Sequence, residues 1–386
     1  MIRAAVIGTG NIAPSHIQGY LTFPDQVTIV ALVDIYPEKA HRMAERFELD
    51  VDVYDDHKAL LERDDIDLVS VCTPPYTHSE ITINCLHAGF HVLVEKPMAS
   101  SLAECDAMLD AAAENGKTLS VVAQNRFTTP MMKLKQMLEK DMIGPIVHAQ
   151  VDSHWWRGHC YYDLWWRGTW EKEGGGPTLN HAVHHIDALG WMLGMPQRVT
   201  AVMANTAHDN SQVEDLSVAI LQYAQGTLGQ VTSSVVHHGE EQQLIFQGQK
   251  ARISTPWKVK ASVSRDNGFP DPDQDLETQL QTEYDNLADL EYQGHTAQIQ
   301  NVLQSLTEGS DVLIDGTSGR NTLELITAIY KAASTDTPVD LPLSENDPFY
   351  TREGIIKHAK YFYEKGASVE NFADSQIRVS GEEGKP

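Results

Sequence analysis

Short apolar runs alternate with helical patterns over the first third of the chain. The apolar runs cover residues 4–8, 27–34, 68–73, 91–95 and 118–123. Segments with the periodicity of amphipathic helices lie between them, at residues 12–21, 37–47, 57–61, 79–88 and 102–115. Apolar strands that alternate with helices are typical of βαβ units. The pattern predicts an α/β domain with a doubly wound parallel sheet over residues 1–125.

The pattern changes from residue 142 onward, where apolar and polar residues alternate. Examples are RVTAVMANTA at 198–207 and LSVAILQYAQGTLGQVTSSVV at 216–236. Such alternation is typical of antiparallel strands with one covered face. It predicts an α+β domain with a large, mostly antiparallel sheet over residues 126–374, interrupted by helices at 178–193, 295–307 and 319–334. Residues 265–275 are predicted to form a polar loop, and residues 375–386 a tail with little to bury.

Composition narrows the possible partners of the protein. The 386 residues include 54 acidic and 29 basic side chains, a formal net charge of −25. A surface this negative repels nucleic acids and anionic membranes. The chain also lacks the 18 or more consecutive apolar residues of a membrane span. We therefore expect a small-molecule partner rather than nucleic acid or membrane.

The N-terminal sequence and the cysteines predict a cytoplasmic location. The first residues lack the long apolar run and cleavage site of a signal peptide. The four cysteines form no CxxC pair, which argues against a disulfide scaffold or a cysteine-rich zinc site.

A glycine-rich turn follows the first predicted strand and opens the first predicted helix. It fits the pattern GxGxxA from Gly8 and Gly10 to Ala13, with Asn11 and Ile12 inside the turn. The first glycine permits the tight turn, and the second lets backbone N–H groups approach a pyrophosphate. The helix N-terminus adds partial positive charge. The turn is predicted to bind a dinucleotide.

An acid stands at the end of the second predicted strand. Asp34 lies 21 residues after Ala13, the spacing at which a carboxylate accepts hydrogen bonds from the adenosine ribose. The same carboxylate would repel the 2′-phosphate of NADP. The sequence therefore favours NAD over NADP as the cofactor.

Further motifs extend over most of the chain. They are VCTPPYTH at 71–78, EKP at 95–97, GGGPTLNHAVHHID at 174–187, VEDLSVAILQYAQGTLG at 213–229 and DGTSGRNTLELITAIYKAA at 315–333. Together they resemble the Gfo/Idh/MocA family of NAD(P)-dependent oxidoreductases over roughly residues 1–345. The resemblance implies a Rossmann domain followed by a mostly antiparallel sheet domain. It also implies oxidation or reduction of hydroxyl groups on sugars, cyclitols and related compounds.

The resemblance also assigns catalytic residues. The family's catalytic lysine corresponds to Lys96, and its catalytic histidine to His184, four residues after Asn180. A histidine suits removal of a hydroxyl proton, and a neighbouring lysine stabilises the developing alkoxide. The family often has aspartate at the position of Asn180. Asparagine can orient a substrate hydroxyl but cannot relay a proton, which leaves the route of that proton open.

Cofactor and substrate contacts follow from the same resemblance. In addition to the glycine turn and Asp34, the resemblance places five residues near the dinucleotide, namely Thr73, Pro74, His78, Glu95 and Lys96. The segment HWWRGHCYYDLWWRGTW at 154–170 holds five of the seven tryptophans, and aromatic rings pack on the C–H faces of sugars. Packing in the protein interior is the alternative role for this segment. The predicted substrate contacts are Arg126, Tyr162, Trp166, Arg167, Asn180, His184 and His185.

Three histidines at helical spacing raise the question of a metal site. His181 lies three residues before His184 and four before His185, a spacing that also suits metal ligation. No HExxH motif is present, and no acid or cysteine lies nearby at ligand spacing. We therefore predict no metal ion.

The sequence predicts an NAD-dependent oxidoreductase that acts on a sugar, cyclitol or glycoside hydroxyl. One alternative is a glycoside hydrolase or lyase that oxidises its substrate transiently, with no net cofactor turnover. A second alternative is a non-catalytic protein that binds NAD. The polar-faced sheet of the second domain further predicts a homodimer or homotetramer.

Overall fold

The computed structural model describes residues 1–366 and 368–370. The predicted tail at 375–386 lies outside the described residues. The strands are β1 (Ile2–Ile7), β2 (Val27–Val33), β3 (Asp52–Tyr54), β4 (Leu68–Val71), β5 (His91–Val94), β6 (Leu119–Val121), β7 (Ile146–His154), β8 (Arg198–Ala204), β9 (Leu216–Gln222), β10 (Leu228–Ser234), β11 (Gln242–Gly248), β12 (Ala251–Thr255), β13 (Lys258–Ser264), β14 (Pro270–Pro272) and β15 (Val339–Asp340). The α-helices are α1 (Ala13–Leu21), α2 (Pro37–Arg46), α3 (His78–His87), α4 (Leu102–Asn115), α5 (Thr129–Glu139), α6 (Pro177–Asn180), α7 (Val183–Leu193), α8 (Gln274–Asn286), α9 (Gly294–Glu308), α10 (Gly316–Thr335) and α11 (Arg352–His358).

The chain divides into two compact units. Unit 1 comprises Met1–Met132, Asp289–Glu324 and Tyr350–Arg352. Unit 2 comprises the remainder, from Lys133 to Ala288, from Leu325 to Phe349 and from Glu353 onward. Unit 1 therefore takes in α9, which the sequence analysis grouped with the second domain.

Unit 1 contains the predicted parallel sheet. Its strands run in the order β3-β2-β1-β4-β5-β6, and every neighbouring pair is parallel. The order reverses on either side of β1, which makes the sheet doubly wound and confirms the predicted fold class. Strands β1, β2 and β4 are mostly buried apolar runs, as expected where helices cover both faces.

Helix α9 belongs to unit 1 because it completes the core of that unit. Its side chains Ile299, Val302 and Leu303 are buried in one apolar cluster with Ile17 and Tyr20 of α1. Burial of such side chains contributes about 1.5–3 kcal/mol each. Helix α9, which begins at Gly294, thus completes the core of the first domain.

Unit 2 is built on a larger mixed sheet. Its strands run in the order β14-β13-β12-β11-β7-β10-β9-β8-β15. Neighbouring strands are antiparallel except β7 and β10, which pair in parallel from Leu228 opposite His148 to Ser234 opposite His154. The mostly antiparallel sheet predicted from the alternating pattern is confirmed.

The two faces of this sheet differ in character. Alternate residues of β8 are buried and exposed, so Val199 and Ala201 pack inward while Val202 faces the opposite side. On that opposite face lie Val202, Ile220 and Leu228, which are 64, 39 and 45% exposed. Among the described residues, no apolar layer packs over these three side chains. We call this side of the sheet the open face.

One helix of unit 2 overlaps a segment that the sequence analysis assigned to a loop. Helix α8 begins directly after Asp273, whose side chain accepts the N–H of Leu276, and Asp275 and Glu277 lie in its first turn. These are ordinary helix-start signals. Among the α8 side chains only Leu280 is buried, so the apolar periodicity was too weak to reveal the helix.

No helix in the described ranges combines the length and the apolar character required to cross a membrane.

Candidate active site

Four neighbouring strands of unit 1 lead into the residues expected to hold the cofactor. Gly8 directly follows β1, Asp34 follows β2, and Glu95 follows β5. Thr73 comes two residues after the end of β4. Because these strands are parallel and adjacent, their carboxyl ends meet at one edge of the sheet. That edge is where open α/β sheets bind ligands.

The glycine turn combines a left-handed first glycine with open space at its second glycine. Gly8 has a φ of +91°, and a Cβ there would lie 2.8 Å from the carbonyl carbon of Cys72. At Gly10 a Cβ would meet no atom within 4 Å, so the space above this peptide is open to a ligand. Asn11 is exposed and Ile12 is the first residue before α1. No described side chain caps α1 and no acid lies in its first turn, so no acid there offsets the partial positive charge of the helix N-terminus.

Asp34 is held in a fixed orientation at the end of β2. The backbone N–H and the hydroxyl of Thr9 both donate to Asp34 Oδ2 at 2.8 Å. The N–H of Tyr36 donates to Oδ1 at 2.9 Å. Each carboxylate oxygen can accept more than one hydrogen bond. The carboxylate therefore stays fixed beside the glycine turn and retains capacity to accept from a ribose hydroxyl.

His78 connects two of the expected cofactor loops but is itself fully buried. Its Nδ1 lies 2.9 Å from the carbonyl oxygen of Pro97, and its Nε2 lies 2.7 Å from that of Thr73. Burial lowers the pKa of His78, although both carbonyls favour the charged ring. The Thr77 hydroxyl donates to the Thr73 hydroxyl and the Pro74 carbonyl at 2.8 Å. His78 thus shapes the cofactor loops through their backbone.

Glu95 is the centre of a hydrogen-bond network that the sequence analysis did not foresee. His16 Nε2 lies 3.0 Å and His295 Nε2 lies 3.2 Å from the same oxygen, Glu95 Oε1. The backbone N–H of Lys96 donates to Oε2 at 3.1 Å. On its other side, the His16 ring lies 3.0 Å from the hydroxyl of Ser70. Both oxygens of Glu95 are thereby occupied, and the start of the Lys96 segment is held in place.

The network keeps a buried carboxylate charged. Burial raises the pKa of Glu95, but the hydrogen bonds and charges of His16 and His295 outweigh it and hold the pKa well below the usual range. Burial lowers the pKa of His16. The three ligand atoms lie within 4.8 Å of one another, a spacing that a metal ion could also use. The hydrogen bonds account for this spacing without an ion, and the expectation of no metal stays a prediction.

The catalytic lysine and histidine expected from the sequence lie in different units. Lys96 is half-buried in unit 1, and the Lys96–Pro97 peptide is cis. Asn180 and His184 belong to unit 2, where Asn180 ends α6 and His184 lies in the first turn of α7. Both side chains are half-buried. The Asn180 amide donates to the carbonyls of Gly175 and Gly176 at 2.9 and 3.3 Å, which fixes its orientation.

A buried glutamate anchors the start of this helical segment. Glu214 accepts the N–H groups of Gly176 and Thr178, each at 3.1 Å, and the hydroxyl of Tyr330 at 3.0 Å. Burial raises the pKa of Glu214 to about 7, although these donors favour the charged form. Sequence reasoning missed Glu214 because it lies more than 30 residues from the helix that it holds.

Three of the expected substrate contacts are buried side chains. Arg126 is 4% exposed, His185 is 5% exposed and Tyr162 is 1% exposed. Burial lowers the pKa of His185 to about 4, which makes this ring neutral at physiological pH. The Tyr162 ring packs edge-on against His208, with centroids 5.0 Å apart. Their proposed contact with substrate stays a prediction.

Aromatic residues of the 154–170 segment lie close to the turn between α6 and α7. The guanidinium of Arg167 lies between two rings, 4.2 Å from Tyr161 and 4.3 Å from Trp166. The ring of His181, next to Asn180 in the chain, lies 5.9 Å from Tyr161 and 5.6 Å from Trp155. The structure therefore brings these aromatic side chains together with the turn that carries Asn180.

Comparison with known families matches both units. Residues 2–123 match the model of the oxidoreductase family with an NAD-binding Rossmann fold, and residues 135–341 match that of its C-terminal alpha/beta domain. The chain belongs to the Gfo/Idh/MocA oxidoreductase family. The resemblance inferred from the sequence motifs is confirmed, and unit 1 contains the NAD-binding fold of this family.

Several characterised members of the family are similar to this chain. D-glucoside 3-dehydrogenase of Escherichia coli strain K12 is 27% identical over 364 residues, 88% of this chain and 97% of the relative. A 2,7-anhydro-N-acetylneuraminate hydratase of Mediterraneibacter gnavus is 28% identical over 253 residues, 64% of this chain and 66% of the relative. The WlbA dehydrogenase of Bordetella pertussis, solved with NADH and UDP-GlcNAcA, is 27% identical with a TM-score of 0.76. That comparison covers 89% of this chain and 98% of WlbA.

Proposed function

We propose that this protein is an NAD-dependent dehydrogenase of a secondary hydroxyl group on a neutral or charged sugar, a cyclitol or a glycoside. One observation carries the proposal. Four adjacent parallel strands end at one sheet edge on Gly8, Asp34, Thr73 and the Glu95–Lys96 pair. Gly8, Asp34 and Thr73 are suited to hold a dinucleotide, and Lys96 brings an amine to the same edge.

The proposed chemistry divides between a cofactor and three side chains. NAD, when bound, supplies the acceptor for the substrate hydride. His184 takes the hydroxyl proton as general base, and Lys96 stabilises the negative charge that develops on that oxygen. With its NH₂ group engaged by Gly175 and Gly176, Asn180 orients the substrate through Oδ1.

Lys96 is suited to its role because its backbone is fixed. Glu95 accepts the Lys96 N–H, and the two histidines hold Glu95 in turn. A fixed starting point limits the positions that the lysine amine can reach, and such preorganisation is a main source of electrostatic catalysis.

Asp34 supports NAD rather than NADP as the cofactor. Its carboxylate is held by Thr9 and Tyr36 at the end of β2. A 2′-phosphate at the adenosine ribose would face this carboxylate. The next two residues, Ile35 and Tyr36, are exposed and carry no positive charge to compensate.

The test is a substrate panel with two cofactors. The purified protein is mixed with NAD, and separately with NADP, in the presence of inositols, aldoses and glycosides. Nicotinamide absorbance and products are followed together. Net reduction of NAD with at least one compound is expected. Failure to reduce either cofactor with every compound, and to form any product, would overturn the proposed activity.

The similarity to a hydratase favours one alternative. Hydration changes no oxidation state overall, so an enzyme that uses NAD in such a reaction must return the hydride to the product. The 28% identity to the 2,7-anhydro-N-acetylneuraminate hydratase makes this a second candidate for the present chain. Formation of product without net reduction of NAD in the same panel identifies it. A protein that only binds NAD would show neither signal.

We further propose a homodimer or homotetramer formed through the open face of the unit 2 sheet, and a cytoplasmic location. Val202, Ile220 and Leu228 expose apolar area on that face, and a second copy would cover it. Three of the four cysteines are buried thiols and all four are free, which suits a reducing compartment.

A further inference from the structure

The predicted substrate segment, residues 154–170, takes many of its backbone partners from other parts of unit 2. Between β7 and α6 the described chain forms turns, bends, isolated bridges and one 3-10 helix, His159–Asp163. Backbone N–H and C=O groups that no helix or sheet pairs need partners elsewhere. Two of the predicted substrate contacts, Trp166 and Arg167, lie in this irregular stretch. The groups that pair its backbone therefore also set the positions of these two side chains.

A strap near the end of the described chain supplies several of these partners. We define the strap as residues 360–366 and 368–370, all of which belong to unit 2. Val369 forms a parallel bridge with the segment. Its N–H donates to the carbonyl of Asp163 at 2.8 Å, and its carbonyl accepts the N–H of Trp165 at 3.1 Å. The strap thus pairs with the segment as the edge of a short strand would.

Two side-chain hydrogen bonds extend the strap along the segment. The indole N–H of Trp170, which is 2% exposed, donates to the carbonyl of Lys360 at 3.2 Å. The Lys365 amine donates to the carbonyl of Tyr162. Contacts with the strap therefore both precede and follow the pair Trp166–Arg167 in the chain.

The strap and the segment also share an anchor at Gln212. The N–H of Phe362 in the strap donates to the carbonyl of Gln212 at 3.1 Å. The N–H of Gln212 donates to the carbonyl of Gly168 at 2.8 Å, and its side-chain oxygen accepts the N–H of Trp170 at 3.3 Å. Gly168 directly follows Arg167. Arg167 thus lies in a stretch that is held by the strap on one side and by Gln212 on the other.

Trp170 connects the strap to the turn that carries Asn180. Its ring packs edge-on against Tyr330, with centroids 4.9 Å apart. The Tyr330 hydroxyl donates to Glu214 and accepts the N–H of Leu179, the residue before Asn180. One buried indole therefore joins the strap to the hydrogen bonds that hold this turn.

We propose that the strap positions Trp166 and Arg167 for substrate and thereby lowers the KM for the sugar or cyclitol. The inference rests on the proposed dehydrogenase function and deepens it. Side chains that are ordered before substrate binds lose less conformational freedom on binding, so their preorganisation increases affinity. The strap lies beyond residues 135–341, the part of the chain that matches the family's C-terminal domain. Its residues are positioning residues and act through the segment.

The first test removes one backbone donor of the strap. Val369→Pro removes the N–H that donates to Asp163, whereas Val369→Ala keeps it. The Val369 side chain is 43% exposed, so either change removes little packing. The readout is hydrogen exchange at the Arg167 N–H, which donates to the carbonyl of Leu164 inside the segment and not to the strap. Mass spectrometry with single-residue fragmentation measures it.

Exchange at Arg167 separates positioning of the segment from a merely local contact. We expect it to be about 3- to 10-fold faster in Val369→Pro, since one hydrogen bond that holds the segment is lost, and unchanged in Val369→Ala. Unchanged exchange at Arg167 in a folded Val369→Pro protein overturns the inference.

Steady-state kinetics then test the link to substrate. NAD is saturating, and the varied substrate is whichever compound of the inositol, aldose and glycoside panel is turned over fastest. Val369→Pro is expected to raise KM for that compound by about 3- to 10-fold and to leave kcat and NAD affinity near the wild-type values. An unchanged KM, or a fall in kcat alone, contradicts the inference. A wild-type protein that turns over no compound instead overturns the proposed function, and hydrogen exchange alone then decides whether the strap positions the segment.

A second pair of variants covers the case in which Val369→Pro fails to fold, which thermal melts identify. Lys365→Met removes the amine that donates to the carbonyl of Tyr162 and keeps a side chain of similar length, whereas Lys365→Arg keeps a donor. Lys365→Met is expected to show the faster exchange at Arg167 and the higher KM, and Lys365→Arg is expected to restore both. Wild-type exchange and KM in a folded Lys365→Met protein contradict the inference.

Discussion

Asp34 shows how one side chain can be fixed before its ligand arrives. Thr9 and Tyr36 donate three hydrogen bonds to it. The protein thus orients the carboxylate when it folds, and the ribose contact proposed for Asp34 would require no further ordering of this side chain. The same bonds tie the end of β2 to the glycine turn after β1.

Replacement of Asp34 tests this assignment. Asp34→Ala is expected to weaken NAD binding by about 10-fold or more, because hydrogen bonds to a charged group contribute about 1.5–3 kcal/mol. It is also expected to reduce the preference for NAD over NADP. Fluorescence titration with both nucleotides measures the two effects. Asp25→Ala, at an exposed acid of the same unit, is the control. Unchanged affinity for both nucleotides would show that Asp34 does not contact the ribose.

Lys96 is the residue through which the proposed chemistry is most directly tested. Lys96→Ala is expected to lower kcat by at least about 100-fold, because groups that transfer or stabilise protons contribute about 10²–10⁴. NAD binding is expected to stay nearly intact, since Gly8, Gly10 and Asp34 remain. Lys58→Ala removes an exposed lysine of unit 1 and is the control. Activity near the wild-type value in Lys96→Ala would remove Lys96 from the site.

At the scale of the element, α6 depends on a distant carboxyl group. Glu214 satisfies two N–H groups at the start of this four-residue helix, which is too short to be stable alone. The position of Asn180 and of the following helix α7 therefore depends on β9 and on the loop before it. Glu214 is accordingly a positioning residue, distant in sequence and adjacent in space.

The raised pKa of Glu214 predicts a pH-dependent stability. Its pKa rises from 4.5 to about 7 on folding, so the folded state keeps a proton that the unfolded state releases. Stability from this group is fully present below pH 4.5 and is lost as the pH rises to about 7. The loss is about 3 kcal/mol at ~1.4 kcal/mol per pKa unit. Glu214→Gln cannot titrate, so urea unfolding of wild type and variant should diverge across this pH range. Parallel pH profiles would contradict the assignment.

The elements of unit 1 were largely predictable because their signals are local. Apolar runs, the glycine turn and the acid at the end of β2 each lie within one βα unit, and the fold fixes where strand ends meet. His295 could not be placed in this way. It contacts Glu95 from 200 residues further along the chain, because α9 returns to the core of unit 1.

Only those residues of the candidate site that a family motif assigns could be predicted from the sequence. Lys96, Asn180 and His184 follow from motifs that resemble a family. Glu214 lies in such a motif too, VEDLSVAILQYAQGTLG at 213–229, but the motif does not reveal its contacts with α6. Tyr162 is fully buried and its neighbour Tyr161 is half-buried. This difference depends on how the two rings pack against His208 and His181, which spacing alone does not reveal. Tertiary packing therefore decides which member of an aromatic pair is accessible.

In the whole molecule, the open sheet face is the surface that we propose for assembly. Val202 and Val218 are paired across β8 and β9, and Ile220 lies opposite Gln230 on β10. Apolar and polar side chains are therefore mixed on this face, as in many interfaces between identical subunits.

A charge on this face tests the proposed assembly. Val202→Glu is expected to convert the oligomer to monomer, because the interface would bury two or more unpaired carboxylates. Size-exclusion chromatography with light scattering measures the mass. Val263→Glu, at a valine of β13 that is 49% exposed, is the control and should leave the mass unchanged. A wild-type protein that is already monomeric, or an oligomer that tolerates Val202→Glu, would contradict the proposed interface.

The proposed dehydrogenase activity is best tested by following the hydrogen atom that leaves the carbinol carbon of the substrate. The protein is incubated with NAD and a neutral glycoside or cyclitol that carries deuterium at its carbinol carbons, and the nicotinamide product is analysed by mass spectrometry. Deuterated NADH is expected to accumulate as the ketone forms, and Lys96→Ala is expected to suppress both. Product that retains its deuterium without accumulation of NADH, or a ketone formed with unlabelled NADH, would contradict the proposed activity.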